Sequence, residues 1–163
     1  MLTVQRLREL LDYDPLTGVF TWRVHRNNKC PAGTTAGSVH VNGYVYIRID
    51  GTKMLAHRVA WAHYYGEWPK SDLDHRDTNK TNQRIDNLRP ADDQLNSYNR
   101  GRKSDNSSGY KGVSIHTQTG RWQARITAGK KRVWLGFYES AEEAHEAYKA
   151  AAAANHGDYA RVN

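Results

Sequence analysis

Residues 73–90 read LDHRDTNKTNQRIDNLRP, and the chemistry they carry organises the reading of the whole chain. Asp and Asn crowd the segment, while apolar anchors are few: Leu73, Ile85 and Leu88, with Leu95 beyond. Two short strands, around 73–75 and 86–89, joined by a polar loop, are the simplest local structure. A helix over 91–99 follows, with Asp92 and Asp93 suited to its first turn by the helix dipole. His75 follows Asp74, with Asp72 and Asp77 close by. An imidazole among carboxylates keeps a raised or near-neutral pKa, which suits a general base. Neighbouring side chains on a strand point to opposite faces, so a bend or bulge near the strand end is expected if Asp74 and His75 are to reach one phosphate. The same residues also read as a solvated loop, since Asp and Asn mimic backbone hydrogen bonds in turns. A calcium loop starting at Asp72 is rejected: its sixth position is Asp77 rather than Gly, and its twelfth is Gln83 rather than Glu.

Upstream, Val4, Leu7, Leu10 and Leu11 have helical spacing, and Thr3 can cap that helix. The turn-like Asp14-Pro15-Leu16-Thr17-Gly18 leads to a strand over 19–22, and 26–35 reads as a loop. Asn42-Gly43 joins Val39 and Val41 to a strand in which Tyr44, Tyr46 and Arg48 share one face and Val45, Ile47 and Ile49 the other. Asp50-Gly51 repeats the turn and leads to a third strand near 53–56. A helix over 57–65 is ended by Gly66 and Pro69.

Downstream, residues 100–109 (RGRKSDNSSG) are basic, rich in Gly and Ser, and read as a linker with a reach on the order of 17 Å. Three strand-like segments follow, 110–116, 121–127 and 132–138. Ser140 can cap a helix over 141–155, with Glu143 completing a capping box. Alternation turns Val113, Ile115, Trp122, Ala124, Ile126, Val133, Leu135 and Phe137 toward that helix. Ser114, His116, Arg121, Gln123, Arg125, Thr127, Arg132 and Trp134 then face outward.

The chain has 163 residues, and Lys+Arg minus Asp+Glu is 24 − 17 = +7, a balance that points to a polyanionic partner such as nucleic acid. That length suits one medium or two small domains. Its apolar runs fall well short of the ~20 residues of a membrane span, and no secretory signal pattern is expected at the N-terminus. The single cysteine, Cys30, excludes an internal disulfide framework and any multi-cysteine zinc site, and fits an intracellular location.

Asp74-His75, Asn87-Leu88 and Asn96, with LAHRVAWAHYYGEWP upstream, resemble the HNH nuclease motif in the version found in phage-encoded homing endonucleases. The resemblance covers roughly residues 5–99. It implies a ββα-metal core over about 72–99, with His75 as general base, Asn87 tying the loop, and Asp74 and Asn96 as ligands of one divalent metal. Oxygen ligands imply Mg²⁺ or Mn²⁺. Asn96 stands where many members have His, and Asn99 is a candidate auxiliary ligand. Arg58, beside His57, is a candidate phosphate contact.

The text YKGVSIHTQTGRWQARITAGKKRVWLGFYESAEEAHEAYKAAAANHGD is similar to the plant APETALA2/ethylene-response-factor DNA-binding domain, over roughly 109–161. That likeness implies a three-stranded antiparallel sheet packed on one helix, its outward face in the DNA major groove. Ser114, His116, Arg121, Gln123, Arg125, Arg132 and Trp134 then contact DNA, with Lys111, Lys130 and Lys131 on phosphates. Ser114, His116 and Thr127 stand where plant domains carry Arg, so the plant target does not transfer.

The sequence therefore predicts an α+β protein of two domains, 1–99 and 110–163 around the linker 100–109. It predicts a metal-dependent, intracellular endonuclease acting on double-stranded DNA, in the cytoplasm of a bacterial host if phage-encoded. A monomer is expected, with a dimer as the alternative, and no membrane partner. The rival reading is a non-catalytic DNA-binding regulator on a degenerate nuclease fold.

Overall fold

The computed structural model describes residues 2–92, 95, 98–99, 101 and 106–162. The architecture is mixed α+β, built from small antiparallel sheets, and the chain separates into two compact units, Met1–Asp92 and Asp93–Asn163. Among the described residues no helix is long and apolar enough to cross a membrane.

In the first unit, α1 (Val4–Leu10) begins at Thr3, whose Oγ1 accepts from Arg6 N at 3.1 Å. The apolar spacing suggested that the helix includes Leu11. Instead Leu11 is extended and opens β1 (Leu11–Tyr13), which pairs with β2 (Phe20–Trp22). The turn between them imposes this. Asp14 accepts from Leu16 N at 2.9 Å and from Thr17 Oγ1 at 2.7 Å, and Gly18 takes φ 76°. A hairpin so closed needs a strand on its leading side.

β3 (Ser38–Val39), β4 (Val45–Ile49) and β5 (Thr52–Leu55) form the predicted meander. Asp50 and Gly51 sit at φ 45° and 81°, the left-handed pair that a tight hairpin turn uses. Ile47 and Ile49 are fully buried while Arg48 is exposed, as alternation required. α2 (Ala56–Tyr65) follows without a break and stops at Gly66, left-handed at φ 79°. Leu7, Leu11, Ile47, Ile49 and Val59 form the fully buried centre.

β6 (Asp72–His75) pairs antiparallel with β7 (Leu88–Ala91), and a 3-10 turn (Ile85–Asn87) leads into β7. Ala91 is still strand, so the helix expected over 91–99 starts later. Leu95 and Tyr98 are helical, and Asn99 N donates to Leu95 O at 3.3 Å. The part of that expectation on 93, 94, 96 and 97 lies outside the described residues.

In the second unit, β8 (Val113–Ile115), β9 (Trp122–Ala128) and β10 (Lys131–Tyr138) form one antiparallel sheet in the order β10-β9-β8. It packs on α3 (Ala141–His156). Ser140 Oγ accepts from Glu143 N at 3.1 Å, as expected, while the Glu143 carboxylate takes Glu139 N at 3.2 Å, one residue before the usual box partner. Val113, Ala124, Ala141 and Ala144 form one apolar cluster, and Ile126, Tyr148 and Ala152 another.

The face assignment needs three corrections. A β-bulge shifts the β10 register at Leu135, so that Trp134 pairs with Arg125 but Gly136 with Ala124 and Phe137 with Gln123. Phe137 therefore shares the outward face with Trp134, and Tyr138 takes its place against α3. Ile115 and Val133 keep the inward parity but are largely exposed rather than covered.

Two parts of the linker and flank are ordered by side chains. Asn106 Oδ1 accepts from Ser108 N, Ser108 Oγ and Gly109 N at 2.9, 2.7 and 3.1 Å, a compact Asx-type turn. Residues 100 and 102–105 lie outside the described set. Tyr98 stacks on His156 with ring centroids 3.7 Å apart, and its hydroxyl accepts from Gly129 N at 2.8 Å. Tyr98→Ala is expected to cost the second unit about 3 kcal/mol, and Tyr98→Phe about 1 kcal/mol, in thermal unfolding. Equal melting of Tyr98→Ala and wild type would show that the stack contributes nothing.

Candidate active site and nucleic-acid interface

The candidate active site is built on the β6–β7 ribbon. Its register is regular: Asp74 lies opposite Arg89 and His75 opposite Leu88. The bend or bulge expected between Asp74 and His75 is therefore not found in this pairing. The two side chains leave the strand on opposite faces at its end. On one face, Arg89 Nε and Nη2 donate to Asp74 Oδ2 at 3.0 and 2.7 Å, a pair with both partners largely buried. On the other, His75 is 4% exposed and meets the His57 ring edge-to-face at 5.1 Å, with Tyr44 at 6.2 Å. Lys80 Nζ lies 4.4 Å over the Tyr44 ring and donates to Asn42 O at 3.1 Å, tying the hairpin tip over this cluster.

Asn87 holds the loop after His75. Its Oδ1 accepts from Asp77 N at 3.1 Å, and its Nδ2 donates to Asp77 Oδ1 and Asn82 O, both at 3.0 Å. Burial opposes ionisation of Asp77, but hydrogen bonds from Asn82, Asn79 N and Asn87 hold its carboxyl below the ordinary value. Thr78 sits at φ 65°, unusual for a β-branched residue, and donates its N–H to His75 O at 2.9 Å.

The expectation of a raised or near-neutral His75 is corrected. Burial lowers its pKa, against smaller opposing effects of Gln83, Asp77 and Asp74. His57 is pushed down to about 3, again chiefly by burial. The unfolded chain has an ordinary imidazole near 6.5, so it binds more protons than the folded one below that pH. The stability held by a neutral His57 is complete above about pH 6.5 and erodes as pH falls toward 3, by on the order of 4 kcal/mol. The melting temperature of the first unit should therefore drop between pH 6.5 and 4, and His57→Phe should flatten that drop. An unchanged slope in the variant would remove His57 from this account.

Other predicted contacts have structural employment. Arg58 donates to Pro69 O at 3.1 Å and Ser71 O at 3.2 Å, fastening the chain that enters β6. Lys111 Nζ donates to Tyr98 O at 2.7 Å and Arg161 O at 3.0 Å, and burial lowers its pKa to about 8. Asn96 lies outside the described residues, and Asn99 is buried. Among the described residues no group of three or more His, Cys, Asp or Glu could hold a metal.

The outward sheet face of the second unit brings most of the remaining residues together. Ser114, Gln123 and Phe137 lie in register across the three strands, as do Arg125 with Trp134 and Thr127 with Arg132. Ser114, Arg125, Lys131 and Arg132 are exposed, and Trp134 is 55% exposed. His116 bonds Thr119 Oγ1 at 2.9 Å and meets Phe137 at 4.9 Å. Arg121 pairs with Glu139 at 2.7 Å. Gln123 is buried beneath this face, and among the described residues its Oε1 has no hydrogen-bond partner.

Two family models match the chain: "HNH endonuclease" over residues 54–98 and "AP2 domain" over 108–158. The chain carries an HNH endonuclease domain and an AP2 DNA-binding domain. The AP2 part is similar to curated plant proteins. The AP2-like ethylene-responsive transcription factor ANT of Arabidopsis thaliana is 50% identical over 56 residues, 33% of this chain and 10% of the relative. AIL7 of the same plant, named as the same type of factor, is 56% identical over 45 residues, 26% of this chain and 9% of the relative. The ethylene-responsive transcription factor ERN1 of Medicago truncatula is 44% identical over 66 residues, 39% of this chain and 24% of the relative. The chain thus spans about a tenth of the first of these relatives. No solved structure matches the chain at a significant level.

The sequence reading missed Arg89 as a partner of Asp74, and Gln83 and Tyr44 as neighbours of His75. Arg89 carried a faint signal, as a cation at the end of the strand expected around 86–89. Gln83 and Tyr44 are brought in by tertiary packing.

Proposed function

We propose that the protein is a metal-dependent DNA endonuclease whose AP2 sheet holds duplex DNA while the HNH ribbon hydrolyses a phosphodiester bond. The observation that carries the reading is the threefold tie of Asn87 to Asp77 and Asn82, which fixes the loop behind a buried, neutral His75. A neutral imidazole accepts a proton from water, and water so activated attacks the phosphorus in line. The scissile phosphate belongs at the end of the ribbon, beside His75, with Asp74 on the opposite face of the same strand.

The donor chemistry fits a hard divalent ion, Mg²⁺ or Mn²⁺. Asp74 offers a carboxylate, Asn96 an amide oxygen, and such ions complete their shells with water and phosphate. When bound, the metal supplies a Lewis acid that offsets charge developing on the leaving oxygen. Arg89 orients the Asp74 carboxylate through Oδ2. The setting of a phage homing endonuclease rests on the resemblance of the motif text alone.

On the sheet, Arg125, Arg132 and Trp134 supply charge and an aromatic surface to the major groove. Arg125→Ala is expected to weaken duplex binding about tenfold and to reduce its salt dependence. An unchanged affinity and salt slope would remove that face from the DNA interface.

A second reading, a DNA-binding regulator without catalysis, is favoured by the transcription-factor relatives and by the engagement of Asp74 with Arg89. Incubation of supercoiled plasmid with the protein in Mg²⁺, in Mn²⁺ and in EDTA separates the two. Metal-dependent relaxation supports the nuclease, and binding with intact plasmid in both metals supports the regulator.

A further inference from the structure

Gln83 and His75 are both buried, at 3% and 4% exposure, and Gln83 Oε1 lies 3.4 Å from His75 Nε2. The amide's orientation follows from its other end, because Gln83 Nε2 donates to Lys80 O at 2.8 Å. A carbonyl oxygen only accepts, so the oxygen facing the ring requires the proton to sit on His75 Nε2. The imidazole lone pair then belongs to Nδ1.

Gln83 is itself held from several directions. Tyr13 donates its hydroxyl to Gln83 O at 2.6 Å, and Ile85 N donates to Pro15 O at 3.2 Å. Gly18 packs so closely that a Cβ there would lie 2.6 Å from Arg84 N and 2.7 Å from the Gln83 carbonyl carbon. The hairpin at 14–18 therefore sets the backbone of Gln83. Across the ring, His57 packs edge-to-face against His75.

We infer that Gln83 is a positioning residue for the general base: it fixes the orientation of the His75 ring and the Nε2–H tautomer, leaving Nδ1 as the basic nitrogen. The inference rests on the nuclease reading above, but its first test does not need turnover. In the full-length ¹⁵N-labelled protein at neutral pH, the His75 ring resonances, identified by their loss in His75→Ala, should show the Nε2–H form. An Nδ1–H form in the wild type would overturn the proposal. Gln83→Leu, which keeps the bulk and removes the acceptor, should lower kcat for plasmid nicking on the order of tenfold, about one buried hydrogen bond, with KM unchanged. Gln83→Glu retains an acceptor but gives up the bond to Lys80 O, and should recover part of that loss. A folded Leu variant with wild-type kcat, or a Glu variant no better than Leu, would also overturn it. If the Leu variant fails to fold, the wild-type tautomer and the Glu variant decide. Failure of the nuclease reading shows differently, as a wild type that does not nick at all.

Discussion

His75→Ala is expected to lower metal-dependent nicking of supercoiled plasmid by about 10²–10⁴-fold, the range for losing a positioned general base. DNA affinity should be unchanged, since the outward sheet face of the AP2 unit is untouched. The effect is large because no other imidazole in the cluster is an equivalent replacement. His57 meets the His75 ring by its edge and is held neutral down to about pH 3 by burial. Truncating a buried ring also leaves a cavity, so His75→Gln belongs beside it. Both variants should melt within a few degrees of each other while both lose nicking. Wild-type nicking by either would exclude His75 as the base.

Gly112→Ala carries the largest expected structural effect. Its backbone is left-handed at φ 74°, which costs a residue with a Cβ about 1–2 kcal/mol. The added atom would lie 2.3 Å from two Tyr148 ring carbons and 2.7 Å from Arg125 O. Tyr148 is buried and cannot swing aside, so the overlap adds about 1–3 kcal/mol more. A total of roughly 3 kcal/mol lowers the melting temperature of so small a unit by about 15 °C. DNA binding should fall with it, while hydrogen exchange at Ile47, Ile49 and Val59 in the first unit stays slow. A variant that melts like wild type would show that Tyr148 relaxes freely.

The hairpins and helix caps were legible because they depend on a few local residues. Asn42-Gly43, Asp50-Gly51, Thr3 and Ser140 each act through their own backbone or their nearest neighbours. Leu11 was misread because an apolar residue satisfies both helical spacing and a buried strand. The Asp14 turn, which decides between them, acts from three residues away. The HNH domain was legible in the sequence text, but the local geometry of Asp74 and His75 was not. Asp74 and His75 were expected to converge through a bulge, whereas the ribbon is regular and Arg89 takes the Asp74 side. Gln83 was invisible as a functional residue, since its place depends on Tyr13, Pro15 and Gly18, some 65–70 positions earlier. Arg58 and Lys111 show the complementary problem. Their charge pointed to phosphate, but the sequence does not reveal that backbone carbonyls already engage them.

The extra residue at Leu135 makes the sheet of the AP2 unit sensitive to length. Deleting one residue there would restore simple alternation and exchange the faces of everything from Gly136 to Tyr138. Phe137 would leave the surface that carries Trp134, and Tyr138 would enter it. For a sheet of this design, a one-codon insertion or deletion in β10 would change the proposed DNA-contacting face more deeply than a point substitution. If that face reads DNA as proposed, target preference among variants of the fold should track strand length as well as side-chain identity.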